Sequence, residues 1–256
     1  MSTKVTTTPD WPQTYGRIVL NEVDSTLDEA QRQFPALTQK TWFLAHHQTG
    51  ARGRRGRAWD MPAGNFAGTL AVQDPTPSTL SALRSFVAAL ALYDALVVVT
   101  GRPDSFALKW PNDVLLNGGK VAGILLESIS QKNAIVGIAV GIGVNLAGAP
   151  HFSKVEERAL RPVSVAGEFG IAVGAEDFLD ILAPIYARYE TQLIQLGFGP
   201  IREAWLARAT KLGEVITARL PNEEITGTFE TLDENGYLIL KTSKERRKIA
   251  AADIFF

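Results

Sequence analysis

The chain of 256 residues contains no cysteine. Disulfides, thiolate catalysis and cysteine-ligated metals are excluded, and the composition fits a reducing, cytoplasmic setting. Histidine is nearly as scarce. His46 and His47 adjoin on an expected strand and so point to opposite faces, His151 stands alone, and no metal site built on histidine is expected. Long apolar runs are missing too. A spanning helix needs about 18 uninterrupted apolar residues; the best candidate, 134–150, carries four glycines and Asn145 and reads as a buried strand with its exit loop. Met1 to Pro12 lacks the apolar core of a secretory signal. Neither charge is in excess, with 26 Lys and Arg against 27 Asp and Glu. Nucleic-acid domains usually spread a basic surplus over one face, so neither nucleic acid nor a membrane is an expected partner. The P-loop pattern is also absent, because Gly119-Lys120 is followed by Val121.

Against this neutral background, positive charge gathers in one place. Between Gln48 and Trp59 the sequence runs Gln-Thr-Gly-Ala-Arg-Gly-Arg-Arg-Gly-Arg-Ala-Trp, placing Arg52, Arg54, Arg55 and Arg57 around Gly53 and Gly56. Glycines let backbone N–H groups turn toward a ligand, and guanidinium forks take carboxylate and phosphate oxygens in pairs. The loop therefore reads as a site for a small anion, with an arm that grips nucleic acid as the plainer alternative. Its charges repel and its glycines pack little, so it is expected to be mobile when empty.

Two further segments carry chemistry. Lys109-Trp110-Pro111-Asn112-Asp113 leads through an Asn117-Gly118-Gly119 turn to Lys120-Val121-Ala122-Gly123. On a regular strand Lys120, Ala122 and Ile124 share one face and Glu127 lies on the other, where it reads as a structural carboxylate. Gly141-Ile142-Gly143-Val144-Asn145 reads as a tight turn closing a buried strand.

The coarse pattern is α+β. Strands are expected over 17–23, 42–46, 65–72, 106–109, 114–116, 120–130 and 134–140. Helices are expected from the Asp24-Ser25-Thr26 cap to Phe34, from Ser78 or Thr79 to Val99, and over 175–196 and 200–212. After Leu212 the texture changes to four or five short strands, which suggest a small barrel. The division is thus 1–212 for the larger domain and 213–256 for the smaller.

Taken together, the arginine loop, the Lys-Trp-Pro-Asn-Asp run with Lys120 eleven positions after Lys109, and the Gly-x-Gly-x-Asn segment make the chain resemble the bacterial biotin protein ligases, the biotin–[acetyl-CoA-carboxylase] ligase family, from about Arg17 onward. The resemblance implies a catalytic domain akin to class II aminoacyl-tRNA synthetases and an SH3-like C-terminal barrel. It implies activation of biotin by ATP, with Mg2+ arriving on the nucleotide, to biotinyl-5'-AMP. The biotinyl group then passes to a lysine of a biotin carboxyl carrier domain, and the enzyme is a monomer or homodimer. Lys120 and Arg54 become the catalytic residues. Ser25, Thr26, Gln48, Gly50, Arg52, Gly53 and Gly123 would join them around biotin and its adenylate, while Trp59, Asn112, Asp113 and Asn145 would line the nucleotide side.

Two departures touch the pocket. Leu27 stands where the family often has asparagine, and Gly50-Ala51 replaces Ala-Gly, so a Cβ at position 51 restricts φ. Only about 16 residues precede the first strand, so the DNA-binding domain that some members carry is not expected. Adenylation of lipoate or another small acid, and a catalytically silent pocket, are the alternative functions. The basic stretch Lys241, Lys244, Arg246, Arg247 and Lys248 is either a solvated hairpin or a dock for an acidic carrier.

Overall fold

The computed structural model describes residues 11–73, 79–132, 134–151 and 160–256. The chain runs β1 (Tyr15–Val23), α1 (Thr26–Gln33), β2 (Lys40–Gln48), β3 (Phe66–Gln73), α2 (Thr79–Thr100), β4 (Phe106–Lys109), β5 (Asp113–Leu116), β6 (Gly119–Gln131) and β7 (Ala134–Val144). Among the described residues three α-helices follow, α3 (Val165–Phe169), α4 (Ala175–Leu196) and α5 (Phe198–Leu206). The strands of the last segment are β8 (Val215–Arg219), β9 (Glu224–Leu232), β10 (Leu238–Lys241), β11 (Arg246–Ile249) and β12 (Asp253–Phe255).

The first seven strands form one mixed sheet, ordered β1-β2-β3-β7-β6-β5-β4, in which only β1 and β2 pair in parallel. The period-two alternation of β2 lets it bury both faces: Trp42 and Leu44 join the core under α2 and α4, while Phe43 joins a smaller core under α1 with Leu27, Phe34 and Ala139. Helix α2 is apolar all round because it lies between the sheet and α4, and every residue from Val87 to Leu92 is buried. Among the described residues it is this helix, rather than 134–150, that is long and apolar enough to cross a membrane. Its expected cap at Ser78 lies outside the described residues.

Two expected ends moved and one strand was added. The helix foreseen over 200–212 stops at Leu206, because the chain turns to pair with the edge of β4: Leu108 N–H donates to the Arg208 carbonyl and Thr210 N–H to the Leu108 carbonyl, both at 2.8 Å. The strand foreseen to end at Val140 runs on to Val144, so Gly141 and Gly143 lie within a strand and not in a turn. The last strand, β12, was not foreseen.

The second sheet is antiparallel, ordered β11-β10-β9-β8-β12. Its inward residues, among them Phe229, Leu238 and Ile254, belong to the same apolar cluster as Trp42 and Leu90. Trp110 Nε1 donates to the Gly236 carbonyl at 3.1 Å, and Gly236 turns with φ of 77° so close to Phe86 that a Cβ would lie 2.5 Å from the ring. The second sheet is thereby set beside the loop that enters β5.

Candidate functional site

The site lies on the face of the first sheet that α1 and the arginine loop cover. Strand β1 delivers Ser25 as the N-cap of α1, its hydroxyl accepting from Leu27 N–H at 3.2 Å. Beside it, the Gln48 Oε1 accepts from the Thr26 N–H at 2.7 Å and the Thr26 hydroxyl at 3.1 Å, and the Thr69 hydroxyl donates to Thr26 at 2.8 Å. Among the described residues the Gln48 amide nitrogen meets only the Met61 sulfur, at 3.8 Å, so its strong donors remain largely unspent.

Thr26, Leu27 and Gln48 line a small apolar cleft whose floor is Gly123, Gly141 and Gly143. The strand glycines are explained by what lies over them. A Cβ at Gly143 would sit 2.8 Å from the Trp59 ring, and one at Gly141 would sit 3.0 Å from Leu27. Leu27 is thus packed against the sheet and buried, whereas an asparagine there would bring an amide to the cleft.

Trp59 and Asn112 also line a second cavity of about 870 Å³, so the two spaces share a wall. Around the larger one stand Gly53, Arg54, Arg57, Trp59, Lys109, Asn112, Asp113, Lys120 and Asn145, with Asp253, Phe255 and Phe256 from the C-terminal strand. Lys120 reaches it by a route regular alternation does not allow. A bulge between the pairs Val114↔Ala122 and Leu115↔Lys120 adds one residue to β6, turning Lys120 to the face of Gly123 while Ala122 and Ile124 face the helices. The expected shared face of Lys120, Ala122 and Ile124 is therefore corrected, and Glu127 lies on the Lys120 side. The Lys120 ammonium sits 2.7 Å from Asp113 Oδ1, off the hydrogen-bonding angle, and 5.3 Å from the centre of the Trp59 ring.

The loop from Ala51 to Trp59 is a narrow hairpin: Gly53 N–H donates to the Arg57 carbonyl at 2.7 Å and Trp59 N–H to the Ala51 carbonyl at 3.0 Å. Left-handed backbone falls at its tip, Arg55 (φ 58°) and Gly56 (φ 71°), and not at Ala51. Gly50 instead lies close under β1, its N–H donating to the Asp24 carbonyl at 2.7 Å. The repulsion expected among the arginines is offset by carboxylates. Arg52 is forked between Asp28 and Glu127, outside both cavities; Arg55 and Arg57 meet Asp253 at 2.8 and 3.0 Å. Arg54 instead reaches the Asn112 Oδ1 at 3.4 Å and the Ala252 carbonyl at 3.3 Å.

Burial lowers the Arg54 pKa against the pull of Asp253 and Asp113. Lys109 is lowered as well, by burial and then by Lys120, with Asp113 opposing. Two cations held in a partly desolvated cavity favour the arrival of an anion. Asn112 and Asn145 are spent mainly on shape, donating to the Ile124 carbonyl at 2.6 Å and the Val163 carbonyl at 3.0 Å.

Ser25, Gly50 and Arg52 therefore support the walls, and the other expected residues line one space or both. The sequence reading missed Lys109, although it stands in the Lys-Trp-Pro-Asn-Asp run, and the C-terminal Asp253 and Phe256. The basic stretch near the C-terminus is largely self-neutralised, with Arg246 on Glu230, Arg247 on Glu223 and Lys248 on Asp233, which supports the solvated hairpin.

Residues 18–145 match the Biotin/lipoate A/B protein ligase family, and residues 211–256 match the Biotin protein ligase C terminal domain. The chain is 55% identical over 238 residues to a Biotin--[acetyl-CoA-carboxylase] ligase of Paracoccus denitrificans, covering 93% of this chain and 99% of that one. It is 30% identical over 217 residues to the Bifunctional ligase/repressor BirA of Bacillus subtilis, 84% of this chain and 65% of the other. The biotin protein ligase of Aquifex aeolicus, solved in complex with biotin and ATP, superimposes with a TM-score of 0.78 at 25% identity, covering 93% of this chain and 97% of that one. With residues 18–145 matched by the family and a relative 55% identical over 93% of its length, the chain belongs to the biotin protein ligase family.

Proposed function

We propose that this chain joins biotin to a carboxyl carrier protein in two steps. A carboxylate oxygen of biotin bonds to the α-phosphorus of ATP as the bond to pyrophosphate breaks. The neutral ε-amine of a carrier lysine then attacks the acyl carbon, the anhydride C–O bond breaks, AMP departs and the amine sheds a proton to solvent. The observation that carries this reading is the pair of cavities meeting at Trp59 and Asn112, a small apolar cleft with an amide at one end opening into a large cation-lined space. The ureido end of a bicyclic acid suits the first, which holds about 50 Å³, and a nucleotide suits the second.

The residues then divide the work. Gln48 offers its unspent amide donors to the ureido carbonyl, beside Thr26. Lys120, at the junction, holds the biotin carboxylate and afterwards the adenylate phosphate, swinging its ammonium from Asp113 toward the substrate. Arg54 and Gly53 close over the phosphate, and Trp59 presents its ring to the adenine. Preorganised cations are the main need, because a carboxylate attacking a phosphate meets repulsion and raises negative charge in the transition state. Magnesium enters with ATP and needs few protein oxygens; Asp113, whose Oδ1 makes no hydrogen bond, would hold it there to neutralise phosphate charge. The cytoplasm, where free ATP and carrier proteins meet, is the proposed location.

ATP–pyrophosphate exchange with biotin, lipoate and octanoate offered separately tests the reading. Exchange driven by biotin alone is expected; exchange driven by another acid, or by none, overturns it.

A further inference from the structure

Within one hairpin, Arg54 beside the tip has no carboxylate in bonding reach among the described residues, whereas Arg52 at the root has two. Arg52 Nη1 and Nη2 donate to Asp28 at 2.6 and 2.8 Å, while Nε and Nη2 donate to Glu127 at 3.0 and 2.8 Å. A guanidinium forked between two carboxylates is geometrically committed, and the cluster carries a net negative charge, so it is a poor place for a phosphate. What it does is mechanical. Asp28 lies in the first turn of α1, and Glu127 sits on β6 opposite Ala139, so Arg52 ties the loop to a helix and to the sheet at once.

The tie reaches the cavity through the hairpin. Arg52 is bridged to Ala58, and Trp59 N–H is bonded to the Ala51 carbonyl, so holding Arg52 also sets Trp59 over Gly123 and Gly143. It likewise fixes the root from which Arg54 extends toward Asn112. We propose that Asp28 and Glu127 are positioning residues for the ligation: by clasping Arg52 they hold the loop closed over the activated acid and so set how long the intermediate is retained. This rests on the function proposed above.

The test uses the full chain with Asp28→Asn and Glu127→Gln combined. Without any ligand, trypsin cleavage after Arg54, Arg55 and Arg57 reports the anchor directly, and the double variant is expected to be cut about tenfold faster. With biotin and ATP, release of preformed biotinyl-adenylate is expected to rise about tenfold and the KM for biotin to rise with it, while kcat for pyrophosphate exchange and the melting temperature stay near wild type. Glu127→Asp, which keeps a carboxylate, should restore most of the retention.

Unchanged release and KM in the double variant would overturn the proposal. So would losses of kcat, KM and melting temperature that move together and are no smaller in Glu127→Asp, since that is what mere structural support predicts. Should the double variant fail to fold, Glu127→Gln alone is judged by the same criteria. Should wild type show no exchange with biotin, the ligase reading falls and the ligand-free trypsin comparison decides the anchor, with unchanged cleavage counting against it.

Discussion

On the face of the first sheet that α2 and α4 cover, the inward positions hold Trp42, Leu44, Phe66 and Leu70, each fully buried. On the face toward α1 and the arginine loop, β6 and β7 hold Gly123, Gly137, Gly141 and Gly143 instead. Charge follows the same division. Under the helices, the buried Glu190 accepts from Lys40 at 2.7 Å, Arg84 at 3.0 Å and the Tyr15 hydroxyl, so its carboxylate is fully matched. Across the sheet, Arg54 and Lys109 are partly desolvated and keep pKa values below their ordinary range. One face is complete in itself. The other fills the room over its glycines with Trp59, Leu27 and Phe34 and, among the described residues, leaves Arg54 without a carboxylate partner, which is what an anionic ligand brings.

If that division is sound, substitutions on the two faces should separate stability from chemistry. Trp42→Ala should cost about 3–5 kcal/mol of folding free energy, measured by denaturant unfolding, with the KM for biotin of the folded fraction unchanged. Lys120→Ala should do the reverse, lowering pyrophosphate exchange by about a hundredfold to a thousandfold while the melting temperature holds. Arg54→Gly should still form the adenylate but release it about tenfold faster in a chase experiment. Gly143→Ala places a methyl 2.8 Å from Trp59 and should raise the KM for the acid without a matching fall in melting temperature.

The smallest effect concerns acid. Burial pushes the Glu190 pKa up, but Lys40, Tyr15 and Arg84 outweigh it and hold the group below the ordinary glutamate value of 4.5. A depressed folded pKa means stability fully present above 4.5 and lost as pH falls through the folded value. The melting temperature should therefore drop in that acid range, and Glu190→Gln should flatten that part of the profile.

Much of this was legible in the residues because it is local. The Ser25 cap, the alternation of β2 and the change of texture after Leu212 are written in adjacent positions, and so are the three segments whose side chains line the cavities. What escaped was set by neighbours distant in the chain. A bulge is a property of the β5–β6 pair, so β6 read alone put Lys120 on the wrong face. The glycines of β7 looked like a turn because the Trp59 and Leu27 that need their space come from elsewhere. The arginine loop looked self-repelling because its carboxylates lie in α1, β6 and β12. Helix α5 looked longer because the edge of β4 that draws the chain away was assigned to another part of the sequence.

Asp253 stands 198 residues from Arg55 and 196 from Arg57, yet it receives both. Contacts that distant are entropically costly to close and tend to form late. A folding intermediate with its first sheet assembled and its second still unpaired would possess the cleft floor and Lys120 but lack the ionic hold at the loop's tip. Joining the loop to the last strand therefore leaves the cation-lined cavity complete only when both sheets are in place.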